Sequence, residues 1–138
     1  MTVVNNDGAM QSCALHACAL ALVSAGIELN AIPSSVTICG SSSGSSSGNG
    51  AGGNNGNGAD DEEDNSGLVF CVDPVLSEEE GARCKVVLAF GNIFSEDPPV
   101  MSTRMTGAVG YETMREAIRQ ASAANRATAD IMQDLARV

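Results

Sequence analysis

The chain has 138 residues, a formal charge of −10, 3% aromatic residues and no Trp. Seven Lys and Arg against seventeen Asp and Glu exclude a protein that grips nucleic acid on its own by neutralising phosphates, and the scarcity of aromatic rings removes the usual base-stacking platform. A Gly/Ser/Asn tract and an acidic run fill the middle, leaving roughly 110 residues to build one small core.

From the start, Met1 to Val4 reads as the tail of a strand, because β-branched residues run directly into the turn Asn5-Asn6-Asp7-Gly8. Ser12 to Ala25 is rich in Ala, Leu and Cys with apolar residues all round, which predicts a helix buried on most sides and stopped by Gly26. Its apolar part, Cys13 to Ala25, is too short to span a bilayer and is interrupted by His16. After Pro33, Ser35 to Cys39 is expected to be a strand. The Gly/Ser/Asn tract and the acidic run Asp60 to Asp64 then predict a disordered insertion over 41–66, dividing the chain into 1–40, 41–66 and 67–138.

Leu68 to Val72 reads as a strand, Val75 to Gly81 as an acidic turn or short helix, and Cys84 to Phe90 as a strand with a β-branched centre. Pro98 and Pro99 break the run, and the alternating segment Val100 to Thr106 is expected to form a hairpin with the strand before it. From Tyr111 onward Met114, Ala117, Ile118, Ala121, Ala124, Thr128, Ile131 and Leu135 mark one long amphipathic helix. Its far side carries the spaced pairs Glu112/Arg115, Glu116/Arg119, Arg126/Asp130 and Asp134/Arg137. The expected fold class is α+β, two helices packed on a mainly antiparallel sheet.

Five cysteines without CxxC spacing, all within apolar runs, read as buried free thiols suited to the cytosol or nucleus. Cys13, His16 and Cys18 do not converge on a metal, since Cys18 lies about 140° around the helix from Cys13. No metal and no cofactor is expected. His16 reads as a core or interface histidine, and Asp60 to Asp64 as a solvated run without the spacing of a calcium loop.

The most informative junction is the turn Asn6-Asp7-Gly8-Ala9-Met10-Gln11-Ser12 opening the first helix. Such a turn aims backbone N–H groups and the positive end of the helix dipole at a potential phosphate. Gln11, where an Arg would complete an anion site, carries no charge. The other candidate chemistry is the carboxylate group Asp73, Glu78, Glu79 and Glu80.

That turn, with Ala25-Gly26-Ile27, Pro33 and Val72-Asp73-Pro74, resembles the second half of the RNase PH domain, and Gly107 to Val138 looks like the family's terminal helix. Ala14-Leu15-His16-Ala17-Cys18, Val23-Ser24-Ala25-Gly26 and Met101-Ser102-Thr103 follow the eukaryotic exosome ring subunits of the ribosomal-RNA-processing-protein-46 type. The resemblance implies a partial RNase PH (ribosomal protein S5 domain 2-like) fold, and the family's chemistry is 3′-to-5′ phosphorolysis of RNA. Active members read Gly-Thr-Arg where this chain has Ala9-Met10-Gln11, so Gly8, Met10 and Gln11 are the degenerate phosphate-loop positions. Asp73 keeps one of the family's carboxylates, Val75 replaces the next and Glu79 approximates the last; Asp73 and Glu79 are the degenerate acidic positions. The family's first half, with a further phosphate-contacting Arg, has no counterpart, so the chain is expected to start partway through the domain.

The leading expectation is a non-catalytic structural subunit of the RNA exosome core ring, with no catalytic residues. It implies partnership with other RNase PH-like ring subunits and cap subunits, RNA contacted weakly except through the assembled channel, no membrane, and residence in nucleus, nucleolus and cytoplasm. Two alternatives stay open: a phosphate-dependent 3′-to-5′ exoribonuclease, and a protein-interaction module outside RNA metabolism.

Overall fold

β-branched and apolar residues in three runs build the centre of a four-stranded sheet. The computed structural model describes residues 2–42 and 68–136; the expected 41–66 insertion lies almost wholly outside them. The elements are α1 (Met10–Ser24), β1 (Ser34–Ser42), β2 (Leu68–Val72), α2 (Leu76–Gly81), β3 (Cys84–Phe90), β4 (Val100–Thr106) and α3 (Tyr111–Ala136). The sheet order is β2-β1-β3-β4, and every neighbouring pair is antiparallel. The α+β expectation and the β3–β4 hairpin both hold.

Alternation along the strands separates two faces. Val36 and Ile38 of β1 with Val86, Leu88 and Phe90 of β3 face α3, where Ala121 completes the core and Met114, Ile118 and Ala124 pack against it. The same side carries a buried polar link, Ser34 Oγ to Asn125 Oδ1 at 2.5 Å. On the opposite face Ser12 of α1 meets Ser35 Oγ at 3.0 Å and Thr37 Oγ1 at 2.7 Å. Beyond the end of the sheet α1 and α3 converge through Ala19, Ala129, Met132 and Ile93.

Four expectations are corrected. Residues 2–4 form no strand, and Val4 is 96% exposed, because no neighbouring strand among the described residues pairs with them. Within α1 only Ser12 and Ala19 are buried, since a helix apolar all round has here a single sheet face to meet. For the same reason Cys13 and Cys18 are exposed; Cys71 is half-buried because β2 is an edge strand, while Cys39 and Cys84 on the central strands are buried as expected. In α3 the buried stripe after Ala121 passes through Asn125, Ala129 and Met132, leaving Ile131 at 63% and Leu135 at 56% exposure. A 3.6-residue step from Ala121 lands on Asn125, and that polar residue masks the true phase of the stripe.

α1 ends as expected. Gly26 takes φ 70°, and its N–H and that of Ile27 bond the carbonyls of Val23 and Leu22 at 3.0 and 3.1 Å, a Schellman stop. Of the expected ion pairs on α3, Arg115–Glu112 and Arg119–Glu116 form at 3.1 and 2.6 Å. Arg126 and Asp130 do not close to within 4 Å, and Arg137 lies outside the described residues.

Candidate functional site

The turn that opens α1 is held in a conformation few residues adopt. Gly8 has φ 102° and Ala9, the residue before the helix, has φ 45°. At Gly8 a Cβ would collide with the Pro74 carbonyl and reach 2.7 Å from the Val75 carbonyl carbon. Asp7 accepts the Leu76 N–H at 2.9 Å, so the turn is tied to the start of α2. Gly8 is therefore required for close approach of two backbone segments, whatever binds nearby.

No side chain caps α1 from its own sequence. The cap comes from α2. Glu79 Oε1 accepts the Ala9 N–H at 2.7 Å, and its other oxygen accepts from Lys85 Nζ at 2.9 Å. Burial alone would raise the Glu79 pKa, but the Lys85 ammonium and the Ala9 N–H outweigh it and hold the carboxyl below its ordinary value. Glu79 is thus an anion supplied by the chain itself to the helix-opening turn.

Around this contact lies a cleft of about 280 Å³, bounded by Asn6, Met10 and Gln11 from the turn, Thr37 from β1, Lys85 from β3 and Arg104 from β4. Lys85 stands opposite Thr106 and Val87 opposite Arg104, so Lys85 and Arg104 are diagonal neighbours on one sheet face. Such positions are about 7–8 Å apart. Two cations and one carboxylate give this cleft a positive balance on a chain whose formal charge is −10.

The structure brings Met10, Gln11 and Glu79 together and places Gly8 behind them as the hinge of the turn. Asp73 does not line the cleft. It is exposed at the end of β2 with φ 49°, donating its N–H to the Thr37 carbonyl at 2.9 Å. Glu78 turns to the other side, accepting the Val75 N–H at 2.9 Å. Sequence reasoning missed Lys85 and Arg104, whose placement depends on the β3–β4 register. The signal was the alternation in the hairpin, which sets both on the face opposite Val86 and Leu88.

His16 lies deeper along α1, half-buried, with Nε2 accepting the Ser35 N–H at 2.9 Å. Burial lowers its pKa and Asp73 pulls the other way. Only the neutral ring, protonated on Nδ1, accepts that bond.

These elements and their order define an α+β partial RNase PH fold. Among solved structures the chain is similar to the crystal structure of Rrp46 from rice (Oryza sativa), with a TM-score of 0.71 and 24% identity, over 99% of this chain and 52% of that one. The chain spans about half the length of that protein, and the likeness is one of fold. No protein-family model and no curated protein matches the chain significantly. Among the described residues no helix is long and apolar enough to cross a membrane.

Proposed function

We propose that this chain is a non-catalytic structural subunit of an RNA exosome core ring, supporting 3′-to-5′ RNA processing and degradation through subunit contacts. The observation that carries the reading is the Glu79 carboxylate seated on the Ala9 N–H, with Gln11 beside it where the active pattern has Arg. A phosphorolytic site needs that N–H, its dipole and a converging cation for an attacking phosphate; here the N–H is already taken by Glu79, and Gln11 supplies no charge. The fold likeness to Rrp46 supports the ring assignment. Other RNase PH-like ring subunits and cap subunits are the partners proposed, and nucleus, nucleolus and cytoplasm the residence. A tagged full chain isolated from cell extract brings down RNase PH-like subunits on this reading; a clean monomer refutes it.

Lys85 and Arg104 favour a second reading, a phosphate-dependent 3′-to-5′ exoribonuclease that draws its cations from the sheet and not from the turn. Incubation of the purified chain with end-labelled single-stranded RNA and inorganic phosphate separates the two. Release of nucleoside diphosphate establishes the enzyme; intact RNA leaves the structural role.

A further inference from the structure

β1 and β2 pair so that Cys39 stands directly opposite Cys71. Directly opposed residues project from the same face of a sheet, and both cysteines line one cleft of about 270 Å³ with Ser77 and Glu78 of α2. The bond from the Asp73 N–H to the Thr37 carbonyl, 2.9 Å, makes Thr37 and Asp73 a hydrogen-bonded pair. Two residues along, Cys39 and Cys71 occupy the same kind of position, where opposed Cα atoms are about 5.5 Å apart. Disulfides span Cα atoms at about that separation but hold their Cβ atoms about 3.5–4.5 Å apart, so closure at this hydrogen-bonded pair draws the two side chains together by about 1 Å.

None of the other thiols competes for this pairing. Cys84 is opposite Gly40 on the α3 face, its sulfur 2.7 Å from where a Gly40 Cβ would be. Cys13 and Cys18 lie on α1, about 140° apart around the helix. Cys39 and Cys71 are free thiols, Cys39 at 3% exposure and Cys71 half-buried and hydrogen-bonded to Glu78 Oε2 at 3.4 Å.

We propose that Cys39 and Cys71 form a redox-responsive dithiol that closes to a cross-strand disulfide under a peroxide oxidant, joining β1 to β2 on either side of the 43–67 connection. Cys71, the more accessible, loses its proton and attacks the peroxide O–O bond, giving a sulfenic acid and hydroxide. Cys39 yields its proton to that hydroxide, forming the first water, and its sulfur attacks the sulfenic sulfur, releasing a second hydroxide that leaves as water with the Cys71 proton. Two thiols lose two electrons and two protons, and one peroxide becomes two waters.

Closure also takes the S–H donor away from Glu78, which keeps the Val75 N–H. It fixes the edge strand that leads into α2, the element carrying Glu79. Burial pushes the Cys39 thiol up to about 11, with Glu79 adding to the rise and Lys85 opposing it. Burial, Glu78 and Asp73 raise Cys71 as well. Both sulfurs are therefore protonated at neutral pH, and closure quickens as pH rises.

The test uses the full chain with Cys13→Ser and Cys18→Ser, treated with hydrogen peroxide, alkylated under denaturing conditions and mapped by mass spectrometry. Two of the three remaining thiols are lost, one linked peptide joins Cys39 to Cys71, dithiothreitol reverses it, and the rate increases from pH 7 to pH 9. Adding Cys71→Ser leaves Cys39 fully alkylated. The proposal is overturned if Cys39 remains fully alkylated while Cys71 proceeds to the sulfinic acid, or if the linked peptide contains Cys84. Mapping the unaltered chain in parallel gives the same decision should the Ser substitutions disturb folding.

Discussion

Replacing Glu79 separates an internal anion from a merely convenient salt bridge. Glu79→Gln keeps an oxygen for the Ala9 N–H but removes the charge facing Lys85. The Glu79 side chain is 13% exposed and that of Lys85 34%, so the ammonium is partly rehydrated when its partner is lost. The cost falls between exposed and buried pairs, about 1 kcal/mol. Glu79→Ala also leaves the Ala9 N–H without its acceptor, which adds about 1–2 kcal/mol and brings the loss to about 2–3 kcal/mol. Urea unfolding at neutral pH measures both. Because the folded-state Glu79 pKa is lowered, its contribution is complete above the carboxyl's unfolded value and is lost as pH falls through the folded one. The decisive measurement adds inorganic phosphate. If it binds the emptied position with a Kd of about 1 mM, about 10 mM restores roughly 1.4 kcal/mol to Glu79→Ala and nothing to the unaltered chain. Equal stabilisation of both proteins, or variants within about 0.5 kcal/mol of the parent, would refute the idea that Glu79 stands where an external anion belongs.

Gly8→Ala places a Cβ against the Pro74 carbonyl at a positive φ and is expected to cost roughly 2–4 kcal/mol by thermal or urea unfolding; a loss below about 0.5 kcal/mol contradicts the close approach. Asn125→Leu removes the acceptor of the buried Ser34 hydroxyl and is expected to destabilise by about 1–3 kcal/mol, with Ser34→Ala in the same chain recovering part of the loss. His16 has a folded-state pKa below its ordinary value, so the unfolded chain takes up the proton first. Stability is then complete above about pH 6.5 and declines as pH falls toward the folded value, by at most about 1.4 kcal/mol per pH unit. His16→Gln, which offers an oxygen to the Ser35 N–H, removes that part of the pH dependence, and an unchanged profile between pH 7.5 and pH 5.5 would remove His16 from the account.

β2, β3 and β4 were legible because each is short, bounded by Gly or Pro, and carries β-branched residues. β1 instead runs through Gly40 to Ser42, past the Ser35 to Cys39 expected, because its pairing with β3 reaches the glycine and that with β2 continues across it. Cys84 to Phe90 and Val100 to Thr106 match β3 and β4 residue for residue. Helix existence was equally plain, but helix environment was not. α1 looks buried in sequence because composition records what a helix can bury and not how many neighbours it meets. α3 shows the complementary failure: its true stripe passes through Asn125, whose polarity is satisfied by Ser34 across the core, so an apolar count steps around it.

The site was legible only along the chain. The turn from Asn6 to Ser12 announces its N–H groups because consecutive residues carry them. Its electrostatics come from residues distant in sequence: Glu79 from α2, Lys85 from β3 and Arg104 from β4. Their signs matter together. The lost Arg position at Gln11 implies a neutral turn, yet the cleft has two cations, one of them already committed to Glu79. A phosphate entering it must displace that carboxylate from both Ala9 and Lys85, or bind beside it on Arg104 alone. The first route costs the same contacts that hold the turn, and the second offers one exposed guanidinium in place of a converging set of donors. Either way the stabilisation available to a transferring phosphoryl group is smaller than an unobstructed helix terminus would supply, which is why the structural role is the reading preferred over catalysis.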